Sequence, residues 1–425
     1  MAGTMLVIFL ILFILSVPIA ASLGLSSIWA IQLDGQSINI VGQKVFAGID
    51  KFVLMAIPFF ILAGNVMQNG GIARRLMNLA SALVGWFRGG FGAATVLSTM
   101  FFSSMSGSSS ATTAAIGSIT IPQMEKKGVP KNYATALVAS SGELGAIIPP
   151  STTMIIYGFV ANVSIGGLFL AGIIPGLLIG VSLIITFIIL ARVMGFDPPT
   201  KIEKEIWLKE LWKAFKDAFW ALMMPVIILG GIYFGYFTPT EAAVIAVVYG
   251  FIIGFFVYKE IKIKDLMNIF SKSAITSAIV LLIVGFSAIF SYILTVNKIP
   301  HAVGEMIVQL TGNPYLFLLL VNIVVFIAGM FMETAAAILI IAPILTPVAT
   351  QFGIDPIHFG IIIIVNLAIG MVTPPVSLNL FLACKIANLR IEQLFKPMLL
   401  FLSVLIVNLL VITYIPAISL WILSL

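Results

Sequence analysis

The 425-residue chain reads as an all-α polytopic membrane protein built from two inverted-topology repeats, and three observations carry that reading. Apolar residues make up 61% of the chain and charged residues 9%, with a mean hydropathy of +1.18. A soluble domain carries roughly 25% charged residues. Apolar runs long enough to cross the roughly 30 Å hydrocarbon layer as helices recur along the whole length, and two pairs of motifs appear in the same order in the two halves. The ten-residue alternation of a barrel strand is absent, so helices must satisfy the backbone in lipid.

The first span is read at 5–31, broken near Pro18. No Lys or Arg precedes it, which favours a retained membrane helix over a signal peptide. Further spans are expected at 52–68, 132–162, 165–191, 218–237, 239–258, 273–296, 357–384 and 397–421. The stretches 91–122 and 314–347 are apolar but interrupted midway by polar or small residues. This leaves arms of about a dozen residues or somewhat more, and a twelve-residue arm covers about 18 Å, too little to cross. Both stretches therefore read as re-entrant hairpins, whose tips must be buried in protein or face a cavity.

With both hairpins returning to the side they enter from, 19 of the 22 Lys and Arg fall on one side, including the five lysines from Lys201 to Lys216. Lys44, Lys51 and Lys298 fall on the other. The first side is the cytoplasm. The net charge of +6 is thus an orientation signal, and no nucleic-acid partner is implied. Residues 197–216 read as an amphipathic interfacial connector, with Ile206, Trp207, Leu211, Trp212 and Phe215 near one face and lysines towards anionic lipid. The single Cys384 excludes an internal disulfide, and His301 and His358 are too few for a histidine-based metal or haem site.

After the first tip the chain reads TTAAIGSITIP from Thr112 to Pro122, and after the second ETAAAILIIAP from Glu333 to Pro343. Gly145-Ala-Ile-Ile-Pro149-Pro150-Ser151 is echoed by Gly370-Met-Val-Thr373-Pro374-Pro375-Val-Ser377. Paired interrupted segments in oppositely oriented halves are the sequence mark of alternating access around a midplane site. On this reading 1–90 is an N-terminal scaffold and 91–162 the first transport repeat. Residues 163–296 are scaffold helices, 297–313 an outer arm, 314–384 the second transport repeat and 385–425 a C-terminal scaffold helix.

The first tip, SSMSGSSS from Ser103 to Ser110, places many hydroxyls at membrane depth, where they are costly without partners. Hydroxyl and freed carbonyl oxygens are hard ligands that suit Na⁺, and a helix starting near Ser109 presents its N-terminus to an anion. Pro149-Pro150 and Pro374-Pro375 leave the carbonyls four residues back without helical donors. Two Na⁺ sites are expected. Ser103, Ser106, Gly107, Gly145, Ile148 and Pro150 form one, and Gly329, Met332, Thr334, Gly370, Thr373 and Pro375 the other. Glu333 at the second tip holds a cation or caps the following helix, and Glu143 is either functional or a neutral packing residue. No Lys or Arg lies near a break in sequence.

The runs SSMSGSSSATTAAIGSITIP, GAIIPPSTTMIIYG, GYFTPTEAAVIAVVYG, GMFMETAAAILIIAPIL and GMVTPPVSLNLF resemble the large membrane (M) subunit of tripartite ATP-independent periplasmic (TRAP) transporters, across essentially the whole chain. The resemblance implies Na⁺-coupled uptake of a small organic acid, such as a dicarboxylate or sialic acid, across the bacterial inner membrane. It implies an elevator mechanism, a periplasmic substrate-binding protein (P) and a separate small four-helix membrane subunit (Q). The family's substrate regions fall on the tips and breaks, so Ser108, Ser109, Thr112, Ser151, Thr152, Glu333, Ser377 and Asn379 are the candidate substrate-binding residues. An enzyme is disfavoured because a serine nucleophile would lack a nearby base. An ion channel with re-entrant loops is the remaining rival. Saturable flux that vanishes without a Na⁺ gradient separates the two.

Overall fold

The computed structural model describes residues 2–200, 203–374 and 377–424. Lys201, counted above for orientation, and Pro375, a candidate cation ligand, lie outside the described residues. The chain opens with α1 (Ala2–Ile14), α2 (Ile19–Leu33), α3 (Asn39–Ile49), α4 (Ala56–Asn69) and α5 (Ile72–Val84). Next come α6 (Gly90–Ser106), α7 (Ser109–Lys126), α8 (Lys131–Gly142), α9 (Leu144–Ile147) and α10 (Thr152–Ala161), then α11 (Ile165–Met194), α12 (Lys204–Tyr233), α13 (Pro239–Ile252) and α14 (Ile263–Val296). The remainder holds α15 (Ile299–Leu310), α16 (Pro314–Phe331), α17 (Thr334–Gln351), α18 (Pro356–Gly370), α19 (Leu378–Ala387), α20 (Phe395–Tyr414) and α21 (Ala417–Leu420). No strand occurs among the described residues, and eight helices are long and apolar enough to span a bilayer.

The repeat is written in the element boundaries. Ser109 opens α7 and Thr334 opens α17, 225 residues later, and both helices have 18 residues. Lys131 and Pro356 open α8 and α18 at the same interval. The half-helices α10 and α19 have 10 residues each and end on left-handed Asn162 and Asn388. The arms α5 and α15 both start after a left-handed residue, Gly71 and Lys298. The double-proline motifs share the interval of the helices. The TAA echo does not: Thr112 is four residues, about one helical turn, deeper in its helix than Glu333 is in the second.

The two broken helices run side by side in opposite directions. Glu143 of the first accepts from Asn379 of the second, while towards the other end Tyr157 Oη donates to the Pro356 carbonyl at 2.8 Å. Each interrupted stretch also folds back on itself. The loop after α11 holds both ends of the first: Asp197 Oδ2 accepts from the Phe91 and Gly92 N–H groups, and Lys127 Nζ donates to Thr200 Oγ1 at 3.1 Å. Phe317 at the start of the second stacks on Phe352 at its end, with ring centroids 4.6 Å apart.

Three expectations are corrected. The hairpin arms have 17 or 18 residues, and Pro122, Pro343 and Pro347 sit inside α7 and α17. At about 26–27 Å their length alone does not bar crossing. Segment 5–31 is not one broken span, because Ser27 Oγ donates to Met5 Sδ at 3.9 Å, so α2 folds back on α1 through the turn at left-handed Ser16. The connector 197–216 is not a separate interfacial helix: α12 runs unbroken through 30 residues, and Trp207 Nε1 donates to the Ala82 carbonyl at the end of α5. Its amphipathic half braces that arm.

The helices α11 and α20, placed with the scaffold by sequence position, pack on the hairpins and broken helices. Met100 of α6 lies against Gly180, Ser182 donates to Asn408, and Asn322 of α16 reaches both Thr413 of α20 and Asn366 of α18. Buried amide pairs of this kind hold apolar helices in one register, where apolar contacts alone do not discriminate.

Candidate functional site

Both tips and both breaks meet. Gly107 closes α6 in the left-handed conformation, with φ of 58°, which turns the chain without a Cβ penalty. Its carbonyl accepts from the N–H of Thr152 at 3.3 Å and from Thr152 Oγ1 at 3.0 Å, which seats the first tip on the first break. A Cβ on Gly145 would stand 2.5 Å from the Ser108 carbonyl, so only glycine lets that backbone approach. In the second half Gly329 and Gly370 are in the same backbone contact, and Thr334 Oγ1 donates to Met371 Sδ at 2.7 Å. Beyond each break a ten-residue half-helix continues, so each tip ends against the interior of a longer element.

Between the tips lies a cavity of about 50 Å³, lined by Gly107 to Ser110, Ala146, Thr152, Thr153, Glu333, Thr334, Met371 and Leu378. Four helix N-termini converge on it, those of α7, α10, α17 and α19. A helix N-terminus carries a partial positive charge and N–H groups that have no partner within the helix. The N-terminus of α17 is already taken, because the Glu333 carboxylate accepts from Ala336 N. The N-terminus of α7 is capped only by the neutral Ser108 hydroxyl.

The candidate substrate residues divide. Ser108, Ser109, Thr152 and Glu333 line the cavity. Thr112 sits one turn behind, 2.6 Å from Ser106 Oγ, and Ser151 turns back to the Ala146 carbonyl at 2.7 Å. Ser377 and Asn379 are buried beside the cavity without lining it. Of the cation candidates, Ser103, Ser106, Gly107, Gly145, Ile148 and Pro150 surround the first contact, and Gly329, Met332, Thr334, Gly370 and Thr373 the second. Two carbonyls expected to be free are not: Ala146 O accepts from Ser151 and Thr153, and Gly370 O from Thr373 N. The Thr373 hydroxyl donates to Ile369 O at 2.8 Å, which leaves its lone pairs open.

Sequence reading missed Lys272. A crevice leaves the cavity at Ser108 and Ser110 and runs between α7 and the helices α4 and α14, past Asn65, Gln68 and Lys272. It continues past Arg74 and Glu260 to the face rich in Lys and Arg. Lys272 is distant in sequence from every break, and only the packing of α14 reveals it. On the opposite face a cavity of about 560 Å³ between α14 and α17 shares no residue with the central one.

Residues 6–418 match the family described as "Tripartite ATP-independent periplasmic transporter, DctM component". The chain is 44% identical over 97% of its length to the isethionate TRAP transporter permease DctMQ of Oleidesulfovibrio alaskensis, but spans only 65% of that protein. It is 42% identical to the C4-dicarboxylate large permease DctM of Rhodobacter capsulatus, covering 96% of both chains. It is 36% identical to the sialic acid large permease SiaM of Vibrio cholerae, covering 90% of this chain and 89% of that one. The crystal structure of the Alcanivorax borkumensis YdaH transporter superposes with a TM-score of 0.70 at 15% identity, covering 99% and 98% of the two chains, which shows a shared fold. With the family matched from end to end and eight apolar spans in place, this chain belongs to the DctM family, the large permeases of TRAP transporters, and is a multi-pass protein of the bacterial inner membrane.

Proposed function

We propose that this permease carries a small organic anion inward, driven by Na⁺, with an elevator-like movement of the hairpins, the broken helices, α11 and α20 against the remaining helices. The observation that carries this reading is the convergence of helix N-termini on one cavity that no Lys or Arg lines. Backbone N–H groups and dipoles are then the anion's partners. The relatives' printed names include isethionate, C4-dicarboxylates, sialic acid and 2,3-diketo-L-gulonate. All present a carboxylate or sulfonate head, the group suited to helix N-termini that carry no acidic cap, such as those of α7, α10 and α19. A C4-dicarboxylate is the first substrate to try.

The central cavity is too small for such an acid, so the tips must separate to admit it. Its continuity with the Lys272 crevice, and its separation from the cavity on the opposite face, fit a carrier turned towards the cytoplasm. The hairpins are re-entrant on this reading, and the hydroxyls and carbonyls at each tip-to-break contact hold co-transported Na⁺. A periplasmic binding protein delivers the anion, and a small membrane subunit flanks the permease. A carrier, and not an enzyme, is the activity these groups support.

The test is uptake into proteoliposomes holding the permease and its small subunit, with a labelled C4-dicarboxylate bound to the binding protein outside. Saturable uptake should require both an inward Na⁺ gradient and the binding protein. Uptake that persists without Na⁺ overturns the coupling, and robust uptake of free substrate overturns the delivery step.

A further inference from the structure

The route from the central cavity widens before it reaches the face rich in Lys and Arg. Between α4, α5, α7 and α14 it opens into a chamber of about 450 Å³, within the range of about 300–1,000 Å³ that holds a small ligand. Gln68, Ser118 and Asn268 line it with neutral polar groups, and Arg74, Glu260 and Lys272 with charge. The crevice from the central cavity shares Gln68 and Lys272 with it, so the chamber stands on the way out.

The lining carries surplus positive charge. Glu260 Oε1 accepts from two guanidinium groups, Arg74 Nη2 and Arg75 Nη1. Arg75 is fully engaged: its side chain is 11% exposed, lies over the Tyr258 ring, and also donates to Gly71 O and Asp217 Oδ1. The Arg74 side chain is 60% exposed and pairs only with that shared carboxylate among the described residues. Lys272 joins none of the ion pairs among the described residues. Two cationic heads thus line a chamber whose one carboxylate is already divided between two arginines.

This charge is not general to the clefts of the fold. Ser118 lines this chamber, and Pro343, at the interval of the repeats, lines the cavity of about 560 Å³ on the opposite face. No Asp, Glu, Lys or Arg lines that counterpart. A cleft rich in one sign of charge raises the local concentration of counter-ions, and guanidinium and ammonium groups hold carboxylates by charge-assisted hydrogen bonds.

We propose that the chamber of Arg74 and Lys272 is a second anion site, for a dicarboxylate, and that anion held there from the cytoplasm slows further uptake by standing in the exit. The regulatory half of this inference rests on the proposed inward carriage of an anion. The binding half rests on the chamber alone.

The test is equilibrium dialysis of labelled succinate against the detergent-purified permease with its small subunit. Two sites should fill. Ser108→Glu should weaken the central one. Lys272→Gln, at an exposed and unpaired residue, should weaken the other about fivefold at low ionic strength, the upper range for an exposed ion pair, and less at high. Binding that Lys272→Gln leaves unchanged, or that a folded Ser108→Glu removes entirely, overturns the site, as does a wild-type complex that binds no succinate. A single site that Ser108→Glu spares and Lys272→Gln weakens keeps the chamber and fails the central reading instead, so the two failures are distinct. For the regulatory half, unlabelled succinate sealed inside proteoliposomes should slow uptake from the binding protein several-fold, and Lys272→Gln should need correspondingly more of it than wild type. Equal sensitivity of the two overturns inhibition at the chamber.

Discussion

The two hairpin tips share a backbone plan and differ in chemistry. Each is followed by an 18-residue helix opening at the same interval, and each seats on a proline break through a glycine-to-backbone contact. The first is a run of serines with a neutral cap, Ser108, on its helix. The second carries Met330 and Met332 and is capped by the Glu333 carboxylate. The backbone geometry lets one half mirror the other, while the side chains at the two tips differ in charge. The first tip suits an anion, and the second brings a negative charge that suits a cation.

The largest expected effect tests the shared part. Gly145→Ala and Gly370→Ala each push a Cβ into backbone at 2.5 and 2.6 Å. Each should cost about 1–3 kcal/mol by overpacking, read as a lower thermal midpoint, and each should cut uptake more than tenfold. Unequal losses of uptake would mean that the two tips are not seated for the same purpose. The next tests the divided part. Ser108→Glu copies the second cap onto the first and places like charge beside the anion, a penalty of several kcal/mol, so half-maximal uptake should need at least tenfold more substrate. Glu333→Ser keeps an equally good cap, and should leave the midpoint nearly unchanged while raising the Na⁺ requirement. A smaller effect is expected of Thr373→Val, which keeps volume but removes the open lone pairs. The Na⁺ concentration for half-maximal uptake should rise several-fold, and an unchanged value removes Thr373 from the second site. The smallest concerns Lys272, which is exposed in the crevice. Lys272→Gln should slow anion release about twofold at low ionic strength and not at high, where the charge is screened. A salt-independent effect would make its role steric.

Much of this was legible in the sequence. Composition fixes the membrane class, and the double prolines mark the breaks because a missing N–H acts locally. The serine run marks the first tip for the same reason, since its cost in lipid depends on the residues themselves. Other features depend on which way a helix faces. In helices apolar all round, periodicity does not select a face. Lys272, the pairing of Glu143 with Asn379, and the amide contacts of Asn322 with Asn366 and Thr413 therefore stayed hidden. The prolines differ in effect: Pro122 and Pro347, at the bounds of the two interrupted stretches, lie within helices, whereas Pro18 follows a full reversal between α1 and α2.

The opposite course of the two broken helices also has an electrical consequence. Half-helices of matching length point in opposite directions, so their macrodipoles cancel along the membrane normal. On the elevator reading, their displacement then adds no voltage dependence of its own. Each unbalanced unit charge that crosses is weighted by about 2.3 kcal/mol per 100 mV. The potential at which net current reverses therefore counts the charges of the anion and its companion cations.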